Sequence, residues 1–242
     1  TPSGTAEPTP PVYQLTIIGG FTDAFHFYPV IVRDSIATIY LHNNMLEYGH
    51  TYYVTIDNGV LNLADGSFQG VTKEDEWIFT TKSDMPELSD TLIVDVAGKG
   101  DFNTVQGALD FIPDFNEQQT VILVNPGDYE ELVYTRNKWN VKIKGAGMTD
   151  TKVHYANNEV FNPHPLTVKT NEWPGTFPSR RAAFMLDNCK DIVIEDMTIA
   201  TDLKGQAEGL LINGERIALY RVHIIGSVFN TTSPQVSVIN HK

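Results

Sequence analysis

The chain has one cysteine, Cys189, among 242 residues. A lone thiol excludes an intramolecular disulfide framework and the compact zinc motifs built on paired cysteines, and it leaves the compartment open. Positive charge is scarce too: 17 Lys and Arg stand against 30 Asp and Glu, for a formal net charge of -13. Residues 1–84 hold 3 Lys/Arg against 10 Asp/Glu, and residues 85–242 hold 14 against 20. Both parts repel a phosphodiester backbone and neither has a basic stripe, so nucleic acid is excluded as a partner. No apolar run reaches the ~18 residues of a membrane-spanning helix. The opening TPSGTAEPTPP lacks a basic n-region and an apolar h-region and starts at Thr1, so residues 1–11 read as a linker left after removal of an upstream segment. What is present suits a globular protein: 41% of the residues are hydrophobic, enough to build a core.

From residue 12 to residue 84 the apolar residues alternate. Tyr13, Leu15, Ile17; Ile36, Thr38, Tyr40; Tyr52, Val54, Ile56; and Trp77, Phe79, Thr81 each keep period two, the mark of half-buried antiparallel strands. Asn43-Asn44, Asn58-Gly59 and Asp65-Gly66 supply turns between them. The expectation is a small all-β sandwich. Its second half, with a Tyr-x-Val-x-Ile strand ahead of Trp77-Ile78-Phe79-Thr80-Thr81, is similar to bacterial Ig-like modules. His26, His42 and His50 fit no compact ligand motif and read as solvated or hydrogen-bonded histidines.

The pattern changes after residue 85. Val105, Ala108, Leu109 and Ile112 fall at i, i+3, i+4 and i+7, one buried helix face; Asn103 or Asp101 can cap its start and Pro113 stops it. Val121 to Val124 is an apolar run of strand length, and Pro126-Gly127-Asp128 is turn chemistry. Further on, residues 182–199 repeat in 207–224 at an offset of 25. Ala182 falls on Ala207, Met185 on Leu210, Leu186 on Leu211, Asn188 on Asn213, Ile192 on Ile217, Ile194 on Leu219, Met197 on Val222 and Ile199 on Ile224. Such a period fits one coil of a solenoid whose inward residues stack. Val141 and Ile143 read as the same strand two coils earlier, and residues 157–179 as a long loop bordering a binding face.

These residues carry a family resemblance. Gly100-Asp101-Phe102, Thr104-Val105-Gln106-x-Ala108-Leu109, Ile112-Pro113 and Pro126-Gly127-x-Tyr129-x-Glu131 follow one another as in the opening of the pectin methylesterase (pectinesterase) domain. The resemblance implies a right-handed parallel β-helix of the pectin-lyase-like kind over residues 85–242, plugged by its helix, with residues 228–242 as an atypical tail. The fold class expected is therefore mainly β: an Ig-like sandwich over 12–84, then a β-helix that looks truncated.

Gly205-Gln206-Ala207 resembles the family segment whose glutamine faces the cleft and donates to the oxyanion formed at the methyl-ester carbonyl. Gln206 is thus the one catalytic-type residue that the resemblance implies. The family's acid/base aspartate follows the Gly that ends this coil; here the slot reads Val228-Phe229-Asn230-Thr231-Thr232, and Phe229 cannot transfer a proton. The nucleophile motif and the later arginine motif would lie beyond Lys242. Arg180 and Arg181 are candidates for meeting galacturonate carboxylates, though a plain solvated pair fits them equally well. Asp187, Asp191, Glu195, Asp196 and Asp202 lack calcium-loop spacing and read as turn and solvent-face residues; no metal and no cofactor is expected. Two functions stay open: an exported esterase for methyl esters of pectin, inactive as this chain, or a non-catalytic polysaccharide-binding or structural β-helix. Either places the protein outside the cell, at its surface or in the periplasm, with an acidic polysaccharide as partner and self-association through the open end of the β-helix.

Overall fold

A computed structural model describes residues 14–15, 25–41, 46–63, 66–163, 180–226, 228–231 and 236–239. Contacts divide the chain into two units, Thr1–Leu41 with Leu88–Lys242, and His42–Glu87.

The smaller unit holds β5 (Thr51–Tyr53), β6 (Asn62–Leu63), β7 (Gly66–Ser67) and β8 (Ile78–Thr80). β5 pairs antiparallel with β8, β6 with β7, and a bridge joins Ile56 to Val71. The alternation has the expected phase: Tyr52, Val54 and Ile56 are half-buried between exposed neighbours, and Tyr52 stacks on Phe79 at 5.6 Å.

In the larger unit the N-terminal segment contributes two more antiparallel ribbons. β1 (Gln14–Leu15) pairs with β2 (Phe25–His26), and β3 (Val30–Arg33) with β4 (Ile36–Ile39) around Asp34, whose φ is 52°. Among the described residues, the strands of 12–84 pair as two-stranded ribbons and join into no wider sheet. Phe25, Phe27, Tyr28 and Ile31 are buried against Leu132, Tyr134, Tyr155, Met185 and Leu211. Alternation marks an apolar face without naming what covers it, so the sequence could not assign these residues to the solenoid.

The solenoid itself consists of β9 (Thr91–Val94), α1 (Val105–Phe111), β10 (Thr120–Val124), β11 (Gly127–Glu130), β12 (Val133–Arg136), β13 (Trp139–Lys144), β14 (Thr151–Tyr155), β15 (Ala182–Thr201), β16 (Glu208–Ile225), β17 (Val228–Thr231) and β18 (Val236–Ile239). All of its strand pairs are parallel. They form three ladders: β9–β10–β13–β15–β16–β18, β11–β14–β15–β16, and β12–β15–β16–β17. β15 and β16 belong to all three because each runs on around the corners of its coil. Leu92, Ile122, Ile143, Ile194 and Leu219 lie in register across five coils, each fully buried. Each such side chain is worth ~1.5–3 kcal/mol of burial, so the stack is the spine of the core.

Corners form where single residues adopt left-handed backbone: Asn188, Asp191 and Asp196 in β15, Arg216 and Arg221 in β16. Asn and Asp tolerate this region better than other non-glycine residues. At two corners the stacked residues are also ion partners, Arg216 with Asp191 and Arg221 with Asp196, each through two hydrogen bonds. These guanidinium hydrogen bonds hold both aspartates below the usual carboxylate range.

The repeat is 25 residues only past a bulge at Asn188. Ahead of it the offset is 26, so Ala182 lies beside Glu208, Met185 beside Leu211, Leu186 beside Ile212 and Asp187 beside Asn213, one residue away from the sequence alignment. Beyond it Ile192–Ile217, Ile194–Leu219, Met197–Val222 and Ile199–Ile224 pair as expected. Asn188 is the extra residue, and its left-handed backbone (φ 49°) absorbs the insertion. Val141 and Ile143 pair directly with Ile192 and Ile194, one coil away and not two, since the stretch of chain between Tyr155 and Ala182 lengthens that coil.

α1 closes one end of the stack with Val105, Ala108, Leu109 and Ile112 buried. Its N-cap is Thr104, which accepts from the Gly107 N–H at 3.0 Å, and neither Asn103 nor Asp101. Asp101 instead accepts from the Ile93 N–H. Glu131 completes the cap from the next coil, taking the Val105 and Gln106 N–H groups at 2.8 and 2.9 Å. Gln106 docks the helix on β12 by exchanging two hydrogen bonds with the Tyr134 backbone.

Candidate functional site

Gln206 sits at the turn where the chain leaves the second ladder at Thr201 and enters the third at Glu208. It is exposed, and its carbonyl accepts from the Glu159 N–H at 2.8 Å. That bond ties the Gln206 turn to the start of the loop after β14. The same loop start packs on the N-terminal segment: Tyr28 stacks on Phe161 at 4.5 Å, and Asn162 exchanges hydrogen bonds with the His26 backbone.

Arg181 is committed internally. Its guanidinium donates to Glu208 Oε1 at 2.8 and 3.0 Å and lies 3.6 Å from Glu159. Glu208 is fully buried. A buried carboxylate needs such a partner, and removing the arginine would leave it uncompensated at a cost of ~3–5 kcal/mol. Arg180 places its guanidinium 5.3 Å over the Phe25 ring, while its carbonyl receives the Tyr134 hydroxyl and the Asn157 amide. The two arginines therefore make ring and ion-pair contacts around the Gln206 turn.

β17 places Phe229 beside this coil: Val228 pairs with Glu208 and Asn230 with Leu211. The slot that the resemblance assigns to the acid/base aspartate thus lies one coil along from Gln206 on the third ladder.

Most of the acidic residues between 187 and 202 have structural partners. Asp187 is buried, not on the solvent face, where it accepts from Arg136 and from Asn213 at 2.6 Å. Asp191 and Asp196 are the corner residues, and Glu195 meets Lys142 at 2.8 Å. His26 pairs with the Phe161 carbonyl and His50 with the Tyr48 carbonyl; His42 lies outside the described residues. The stacking also gathers Glu130, His154 and Asp202, a group that the sequence reading missed. They stand 24 and 48 positions apart, and only the register of β11 on β14 and β14 on β15 brings them together.

The Pectinesterase family model matches residues 91–231, from the first solenoid strand to the end of β17. Probable pectinesterase 67 of Arabidopsis thaliana is 33% identical over 96 residues, 37% of this chain and 28% of that protein. Pectinesterase QRT1 of the same plant is 27% identical over 169 residues, covering 65% of this chain and 43% of its own length. Among solved structures, the pectin methylesterase from carrot is 19% identical with a TM-score of 0.47, over 65% of this chain and 52% of that one. The chain thus spans less than half the length of the curated relatives it matches. The family model accounts for more than half of the 242 residues, and the chain belongs to the pectinesterase family.

Proposed function

We propose that the protein is a pectinesterase-like carbohydrate esterase scaffold directed at the methyl esters of polygalacturonate, exported from the cell, and that these 242 residues do not complete the reaction. The observation that carries this reading is the family match across residues 91–231 together with an exposed Gln206 on its turn between two ladders. In the reaction, the ester carbonyl gains negative charge as it is attacked, and an amide N–H held ~2.7–3.1 Å from that oxygen stabilises it. Gln206 would supply the donor. Hydrolysis also needs a nucleophile and a group that protonates the departing methanol. Phe229 stands in the slot of the second group and supports the inactive form of the proposal.

The experiment is methanol release from highly methylated pectin, together with retention on immobilised polygalacturonate. We expect no release above background and measurable retention that weakens in Gln206→Ala. Turnover by the chain overturns the inactive reading. Retention no better than on a neutral glucan overturns the substrate assignment. A non-catalytic polysaccharide-binding protein is the second reading, favoured by the same Phe229. The Ig-like reading of residues 46–81 belongs to the proposal as well and rests on the alternation of Tyr52, Val54 and Ile56, with Tyr52 opposite Phe79.

A further inference from the structure

We propose that Glu130, His154 and Asp202 form a binding site for a divalent transition cation of the Zn²⁺ or Mn²⁺ kind, on the outer side of the second ladder. Tyr129, Val153 and Ile199 stack inward there, so their neighbours Glu130 and His154 point outward, and Asp202 follows directly on the end of β15. One donor atom from each of the three residues lies within 4.8 Å of the other two. One imidazole nitrogen with two carboxylates is the donor set of a borderline cation, whereas calcium takes oxygen alone.

His154 supplies the second observation. Its side chain is only 6% exposed, its Nδ1 meets Asp202, and its Nε2 is buried without a hydrogen bond although Asp128 Oδ1 lies 2.9 Å away. With its single proton on Nδ1, the neutral ring turns an Nε2 lone pair toward a carboxylate, which is repulsive. A cation on Nδ1 moves the proton to Nε2, the tautomer that can donate to Asp128. A carboxylate behind the far nitrogen is the usual way a ligating histidine is oriented. A second ring proton would satisfy both nitrogens without a metal, and the Zn²⁺ titration distinguishes the two.

Among the described residues, Arg33 and Lys152 are cations that bear on the site. Arg33, from β3, forks onto Glu130, and Lys152 lies 3.8 Å from Asp202. Arg33 therefore competes for Glu130, which makes the proposal sharper: its removal should tighten metal binding. The inference is independent of the esterase reading.

The experiment is calorimetric titration of Zn²⁺, Mn²⁺ and Ca²⁺ into the EDTA-treated, dialysed full chain at pH 7.5. We expect one saturable Zn²⁺ site per chain with Ca²⁺ at least about tenfold weaker. Asp202→Asn and Glu130→Gln should each weaken Zn²⁺ at least about tenfold. Asp191→Asn, which touches only a corner ion pair, should leave it unchanged, and Arg33→Ala should tighten it several-fold. Circular dichroism confirms that each variant is folded, and Glu130→Gln alone decides should Asp202→Asn not fold. Absence of saturable Zn²⁺ binding, unchanged affinity in the folded carboxylate variants, or a preference for Ca²⁺ each overturns the site.

Discussion

Glu131 shows how one residue can set the pH response of the fold. It is buried between α1 and β12, and burial pushes its carboxyl up to about 7 even though two helix N–H groups favour the charged form. The native state therefore holds a proton that the unfolded chain releases at the ordinary glutamate value. This contribution is complete below that value and is lost as pH rises to about 7, a change on the order of 3 kcal/mol. Urea unfolding at pH 5 and pH 8 should show wild type losing more stability than Glu131→Gln; parallel profiles would remove Glu131 as the cause. Cys189 gives a second residue-scale outcome. Its buried thiol is pushed up to about 12, and thiolate is the reactive form. Iodoacetamide at pH 8 should leave the folded protein unlabelled and modify it fully in 6 M guanidinium.

At the scale of elements, the N-terminal segment behaves as part of the solenoid. Phe25 is fully buried, its ring 4.5 Å from that of Tyr134 on β12, whereas Ile36 on the neighbouring hairpin is 68% exposed. Phe25→Ala should cost ~3–5 kcal/mol and Ile36→Ala close to nothing, measured by denaturant unfolding. Equal effects would mean that Phe25 does not pack on the coils. This assignment also marks where sequence stops being legible. The helix stripe from Val105 to Ile112 and the strand repeat from Ile192 onward could be read directly, because one buried face per element leaves a period in the chain. The partner of Phe25 could not, since a covering surface leaves none. The Asn188 bulge was hidden because Leu210 and Leu211 stand side by side, so apolar residues of β15 fall on apolar residues of β16 at an offset of 25 as well as at 26. Glu130, His154 and Asp202 were hidden because the offset between coils is 24 at one ladder step and 46 at the next. Thr104 lost the cap to Asn103 and Asp101 in the sequence reading, since all three types can cap and only the turn geometry chooses among them.

The whole molecule is acidic, with a net charge of -13, and so is the polymer proposed for it. Long-range repulsion must then oppose their approach, screened over a Debye length of ~10 Å at 0.1 M salt. Retention on polygalacturonate should accordingly rise between 20 and 200 mM NaCl. A fall over that range would point to a local basic surface as the docking face instead. At the same scale, stacking makes each coil depend on its neighbours alone, so damage to one coil spreads by contact.

The corner pairs have a consequence for how such a chain can change length. Asp191 and Asp196 are separated by five positions, as are Arg216 and Arg221 that face them. Deleting one residue between the two aspartates leaves the first pair aligned and carries the second out of reach, so each coil tests its own spacing against the next. Gain or loss of residues is thereby steered away from the coil sides, where each corner has to match a partner.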